Sequence, residues 1–333
     1  MKTGILLAVL MAGVALPCAV AGKEKKPTAE PQPPGPIGWL DLQSGSRSLS
    51  VSVGDLQKVS RSLARGALLP VFKTKEKHGV EFAQVEALNF NTGKSEAGWV
   101  EINSSDLKPP ESYPLDSELL RSLGGPYLED FSAGHTHIAR FLVRQPPGPP
   151  ALVCYVVTMP LSMAKLIIFT PNQGKFLPSA ALNIPVYEMN AGFTFLEVRD
   201  LLSDGSDCVI TKEPFREQAQ TYGANLRIRK IAGGQFQVVW QAPIKFQNLS
   251  QYSPKMQILQ PPERNIGAPG TVTTGEVTFR PSAKGQEPVW KGKIEFFVFG
   301  RDRAVDAVNI EKACPWDGKE FAPLLPSGDR VIR

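Results

Sequence analysis

The chain predicts a mostly β protein: a small barrel followed by a larger region built from related β units, arranged as an open sheet, a sandwich or part of a propeller-like array. Three observations carry this. Apolar residues alternate with period two in short runs, as in Leu49, Val51 and Val53, or Ala83, Val85 and Ala87. Turn formers separate the runs, and the 333 residues include 30 prolines and 29 glycines. One strand–turn–strand unit recurs about 60 residues further along the chain.

Residues 1–21 read as a secretory signal: Lys2, an apolar run from Ile5 to Leu16, and the small-x-small site Ala19-Val20-Ala21. The apolar run is shorter than the ~20 residues a spanning helix needs, so cleavage is expected rather than anchoring. Cys18 follows Pro17, where a lipidation site requires a small residue, so lipid attachment is not expected. The mature chain is expected to work in the periplasm or outside the cell, in an oxidising space. Residues 22–45 form a Pro/Lys-rich linker, opening GKEKKPTAEPQPPGPIG, with too little apolar content for a core. Folding is expected to begin near Trp39.

Residues 46–108 hold strand-like runs at Leu49–Val53, Ala67–Phe72, Glu81–Ala87 and Gly98–Ile102, with turn signals at Lys77-His78-Gly79 and around Asn91-Thr92-Gly93. The Leu69-Pro70-Val71-Phe72 and Phe82-Ala83-Gln84-Val85 strands, the Asn91-Thr92-Gly93 turn and the closing Gly98-Trp99-Val100 resemble a bacterial SH3-like domain. The resemblance implies a small barrel with an aromatic groove formed by Phe72, Phe82 and Trp99, facing a peptide, a cell-wall component or an envelope protein.

Residues 109–134 are a connector rich in proline and glycine, with one helix-like patch from Leu115 to Leu123. Residues 135–333 return to strands. Lys165–Phe169 with Asn172–Phe176 aligns with Asn225–Arg229 and Gly233–Phe236, each preceded by an apolar strand (Leu152–Val156 and Cys208–Thr211). A looser third copy pairs Ile294–Val298 with Trp316–Phe321. Between the first two copies, Asp200, Asp204 and Gly205 resemble the acidic loop of FG-GAP and VCBS-type repeats. In that family the loop holds calcium through alternate oxygens. Here Leu202 and Cys208 replace ligands, and Asp207 stands one position off. The resemblance therefore implies a weak Ca²⁺ site at Asp200, Asp204 and Asp207, beside the alternative of a turn closed by its own carboxylates.

Other chemistries find little support. The net charge of +5 is spread along the chain, without the basic stripe and interleaved aromatics of a nucleic-acid groove. After cleavage three cysteines remain (Cys154, Cys208 and Cys314), which leaves open one disulfide or three buried thiols. A papain-like hydrolase needs a histidine after its cysteine, and none follows His137. His135 and His137 share a strand face but lack an evident third metal ligand. Gly-x-Ser-x-Gly, phosphate-loop and dinucleotide motifs are missing, and no second apolar run is long enough to span a membrane. The five tryptophans are expected in cores or at strand ends. Together these readings point to an exported, non-enzymatic binding or scaffold protein of the envelope. The alternatives are an accessory to a cell-wall hydrolase or a calcium-stabilised β-repeat structural protein.

Overall fold

Among the described residues the period-two alternation is realised as antiparallel strands in two sheets, with one short α-helix. The computed structural model describes residues 35–43, 47–51, 53, 59–123, 136–158, 163–184, 194–218, 221–248, 270–297 and 303–324. The signal segment, most of the linker and His135 lie outside these residues.

In chain order the first sheet is built from β1 (Gly38–Asp41), β2 (Arg47–Ser50), β3 (Val59–Leu63), β4 (Ala67–Lys77), β5 (Val80–Asn89), β6 (Lys94–Ile102) and β7 (Leu107–Lys108). After α1 (Asp116–Ser122) it continues with β8 (Thr136–Val143), β9 (Ala151–Thr158), β10 (Met163–Asn172) and β11 (Lys175–Ile184). Its spatial order is β11-β10-β9-β8-β4-β5-β6-β2-β3, with β1 and β7 branching from β4. The strands of residues 46–108 therefore do not close into a barrel of their own. The reason lies at the start of β4, where Ala67 and Leu68 pair with Phe141 and Arg140 of β8, so the sheet runs on across the connector.

The second sheet is a seven-stranded meander in sequence order. Its strands are β12 (Thr194–Arg199), β13 (Cys208–Gln218), β14 (Thr221–Ala232), β15 (Gln235–Asn248), β16 (Gly270–Ser282), β17 (Gly285–Phe297) and β18 (Asp306–Ala313). It is tied to the first sheet by the Arg65–Glu197 bridge, by the Val198 N–H donating to Arg65 O (3.0 Å) and by the Asp207 N–H donating to Arg144 O (3.0 Å).

Three apolar clusters follow from the alternation. One face of β4–β6 (Val71, Val85, Val100) packs with Tyr155 and Leu166 and reaches Val198 and Val209 of the second sheet. The opposite face of β8–β10 (Ile138, Leu152, Val156, Phe169) packs with Trp39 and with Leu119 and Leu123 at α1. The helix starts because the Leu115 N–H donates to the Glu118 carboxylate (2.8 Å), closing its first turn. The third cluster joins Ile210, Ile228, Trp240 and Trp290 to Cys314 and Phe321 of the C-terminal segment.

The two clear sequence copies fold alike. Each is a three-stranded meander, β9–β10–β11 and β13–β14–β15. The last two strands of each are joined by a pair of residues with positive φ, Gln173-Gly174 (49° and 77°) and Gly233-Gly234 (57° and 74°). Two successive positive φ angles define the tight turn whose twist matches that of the strands. The looser third copy takes another form. Ile294 lies within β17 and pairs with Val308 of β18, while Trp316 and Phe321 share a single bridge with their rings edge-on at 5.0 Å.

Candidate functional site

The site grows from one strand that changes partners. Residues 68–71 of β4 pair with β1, its first two residues pair with β8, and from Val71 onward the ladder passes to β5. The change is accompanied by a bulge between Val71 and Lys73 that isolates Phe72. Beyond it, β5 and β8 diverge and leave a fork in the sheet. Inside the fork is a cavity of about 230 Å³ bordered by Leu63, Leu69, Phe90, Phe141 and Arg61. On the outer face lies a groove of about 310 Å³ bordered by Trp39, Phe72, Leu115 and Asp116. The two share Pro70, Glu86, Leu88, Ile138 and Arg140.

Arg140 forms their common floor. It is buried on β8, pairs with Asp116 of α1, and stacks 5.0 Å over the Trp39 ring, while its Nε has no hydrogen-bond partner. Burial pushes its guanidinium down to about 10, opposed by Cys154 and Glu86, so it stays charged at neutral pH. Trp39 is fixed by donating from Nε1 to Pro110 O (2.9 Å) and by an edge-on contact with Tyr113. Arg61 closes the inner side by donating to the carbonyls of Leu88 (2.5 Å) and Ala87 (2.6 Å). At the groove edge Ser95 Oγ lies 3.2 Å from His137 Nδ1. Among the described residues no carboxylate is hydrogen-bonded to that histidine, so the pair lacks the third group that orients a catalytic base.

Strand register puts Phe72, Phe82 and Trp99 on the outer face of β4–β6: Lys73, Gln84 and Trp99 form one row, and Lys75, Phe82 and Glu101 the next. They do not line one groove. Phe72, 38% exposed, borders the fork groove, whereas Phe82 is buried beside a separate depression with Arg47 and Glu101, and Trp99 borders neither. Sequence reading missed Trp39, Arg140 and Asp116. They come from three distant segments, and only a lone arginine in the apolar run of β8 hinted at them.

The acidic loop is committed elsewhere. Asp200 accepts from the N–H groups of Asp204 (3.2 Å) and Gly205 (2.9 Å), and Asp204 accepts from the Ser206 N–H (2.8 Å) and pairs with Lys230 (3.0 Å). Asp207 is buried and accepts from the Arg144 N–H (2.8 Å), Nε (3.0 Å) and Nη2 (2.8 Å). The three carboxylates thus turn to their own backbone, to Lys230 and to Arg144, rather than toward a common centre. Among the described residues no group of three His, Cys, Asp or Glu side chains is placed to hold a metal ion.

Cys154, Cys208 and Cys314 are all buried and free, and burial pushes the thiols of the first two up to about 12. Thiols so far from ionisation are poor nucleophiles. No helix among the described residues is long and apolar enough to cross a membrane. No family model, no curated protein and no solved structure matches the chain.

Proposed function

We propose that the protein is an exported, non-catalytic binding protein of the cell envelope, and that the fork groove receives an apolar or aromatic segment of an envelope polypeptide or of the cell wall. The observation that carries this reading is Phe72: a bulge holds a large apolar side chain half in solvent over a groove with an aromatic and guanidinium floor. Aromatic and arginine side chains beside an apolar groove are the usual anchors of recognition. The signal-like residues 1–21 support export. The absence of a carboxylate behind the Ser95–His137 pair, among the described residues, and the suppressed thiols favour binding over hydrolysis. The backbone and lysine commitments of Asp200 and Asp204 support a structural turn in place of a calcium site.

The test is co-sedimentation of the purified chain with isolated cell-wall sacculi, and in parallel crosslinking to envelope proteins, for wild type and Phe72→Ala. Capture by either that drops about tenfold in the variant, the loss of roughly one good apolar anchor, supports the reading. Capture equal in both, or capture by neither, would overturn it.

A further inference from the structure

At two matched strand pairs the first meander is apolar where the second is charged, although β10 also buries Lys165 on that face. In β9 and β10, Cys154 faces Ile167 and Leu152 faces Phe169. In β13 and β14, Thr211 faces Arg227 and Val209 faces Arg229, with Glu213 next along the same face. Val209 belongs to the cluster between the sheets, so this polar face looks toward the first sheet. Thr211, Glu213 and Arg229 are each at most 3% exposed.

The hydrogen bonds of the cluster leave a specific remainder. Thr211 donates to Glu213 (2.7 Å), and Arg227 Nη1 donates to Glu213 Oε2 (2.5 Å). Arg229 Nη1 donates to Thr211 (2.9 Å) and to Glu213 Oε1, and its Nη2 donates to Glu213 Oε2 (3.0 Å). A guanidinium has five N–H donors. Three are used, and the Nε of Arg229 has no partner. The unused donors are therefore Nε–H, which is closed off from solvent, and the second Nη2–H, together the side-on edge that matches the two oxygens of a carboxylate. One carboxylate also serves two arginines, which leaves one positive charge unbalanced within the cluster.

Both arginines, but not Glu213, border a cleft of about 600 Å³ between the sheets. Its other walls include Leu182 of β11 and Phe236, Val238 and Pro323, while Glu320 is exposed at the margin, where water screens it. The volume lies within the range of small-ligand sites, and the lining sets the polar Arg227, Arg229, Gln241 and Glu320 beside apolar residues. We propose that this cleft binds a carboxylate carried on an apolar body, the carboxylate paired with the Arg227 and Arg229 guanidiniums that border it, and the apolar part against Leu182, Phe236 and Val238. The site is separate from the fork groove and does not rest on the function proposed for it.

The test uses the purified chain with sodium octanoate, with octanol as the uncharged analogue and inorganic phosphate as the anion without an apolar part. Binding is read by calorimetry and by the arginine Nε–H signals in ¹H–¹⁵N spectra. Saturable octanoate binding that shifts the Arg229 Nε–H signal, with both analogues at least about tenfold weaker, is expected. Arg227→Gln should weaken octanoate by about tenfold or more through loss of one charge-assisted contact. Leu182→Trp leaves the ion cluster intact and fills the apolar end, so it should block binding while the melting temperature shows that the variant is folded. No saturable octanoate binding, octanol or phosphate binding equally well, or full affinity in a folded Leu182→Trp would each overturn the proposal.

Discussion

The meanders β9–β11 and β13–β15 share strand order, pairing and a two-residue turn, yet fill equivalent interior positions in opposite ways. The first places Cys154, Val156, Ile167 and Phe169 under α1, where burial alone stabilises them. The second places Thr211, Glu213, Arg227 and Arg229 against the first sheet and must keep them hydrogen-bonded, since an unpaired buried ion is far more costly than a paired one. Backbone architecture here does not dictate interior chemistry. What covers the face does.

The largest effect is expected from Glu213→Ala, which strands the buried Arg229 and unpairs the partly exposed Arg227. A loss of about 3–5 kcal/mol in denaturant unfolding is expected, as for other broken buried pairs. Acid should reproduce part of it. Burial pushes Glu213 toward its neutral form, but the hydrogen bond and charge of Arg229, the Thr211 hydroxyl and Arg227 outweigh burial and hold the carboxyl below its ordinary value. The unfolded chain then binds the proton more readily than the native one. The contribution is complete above the unfolded pKa of about 4.3 and is lost as pH falls through the lower native value. Melting temperature against pH should show this acid-side slope in wild type and lose part of it in Glu213→Gln.

Replacing the charged set by that of the first meander (Thr211→Cys, Glu213→Val, Arg227→Ile and Arg229→Phe together) makes the two interiors alike. Stability should be unchanged or higher by about 1–4 kcal/mol, because an apolar set of similar volume avoids desolvating ions. Octanoate binding should vanish. A large destabilisation would mean that the ions are required by the fold.

Arg140→Leu offers the smaller contrast. Its partner Asp116 is 52% exposed and returns to water, unlike the buried Glu213. About 1–2 kcal/mol is expected, chiefly from the lost stack on Trp39 and lost packing, read by thermal unfolding. Smallest of all, Phe72→Ala should change stability by no more than about 0.5 kcal/mol. Its effect belongs to binding, and a larger drop would make Phe72 a core residue.

Much of the fold was legible locally. The strands around Val71, Val85 and Val100, the short helix before Leu123 and the two glycine-bearing turns follow from alternation and turn chemistry, which act over a few residues. The sites were legible only in part. Phe72 was picked for its strand, but its exposure comes from a bulge that no local pattern announces. Phe82, on a similar strand, is buried because a different neighbourhood covers it. Asp207, which the loop resemblance offered as a weak calcium ligand, is paired with Arg144, brought to it from 63 residues away, a contact that no local pattern announces.

From the sequence alone came the β class, the connector with its helix, the repeated hairpin and the signal-like start, because each depends on the order of neighbouring residues. Three features came only from long-range packing: residues 46–108 stay open and feed one large sheet, Trp39, Arg140 and Asp116 meet beneath Phe72, and two arginines that share Glu213 border a cleft between the sheets. These depend on which distant strands pair and which faces they bury, and long-range pairing is chosen by the packing of the whole chain rather than by any one segment.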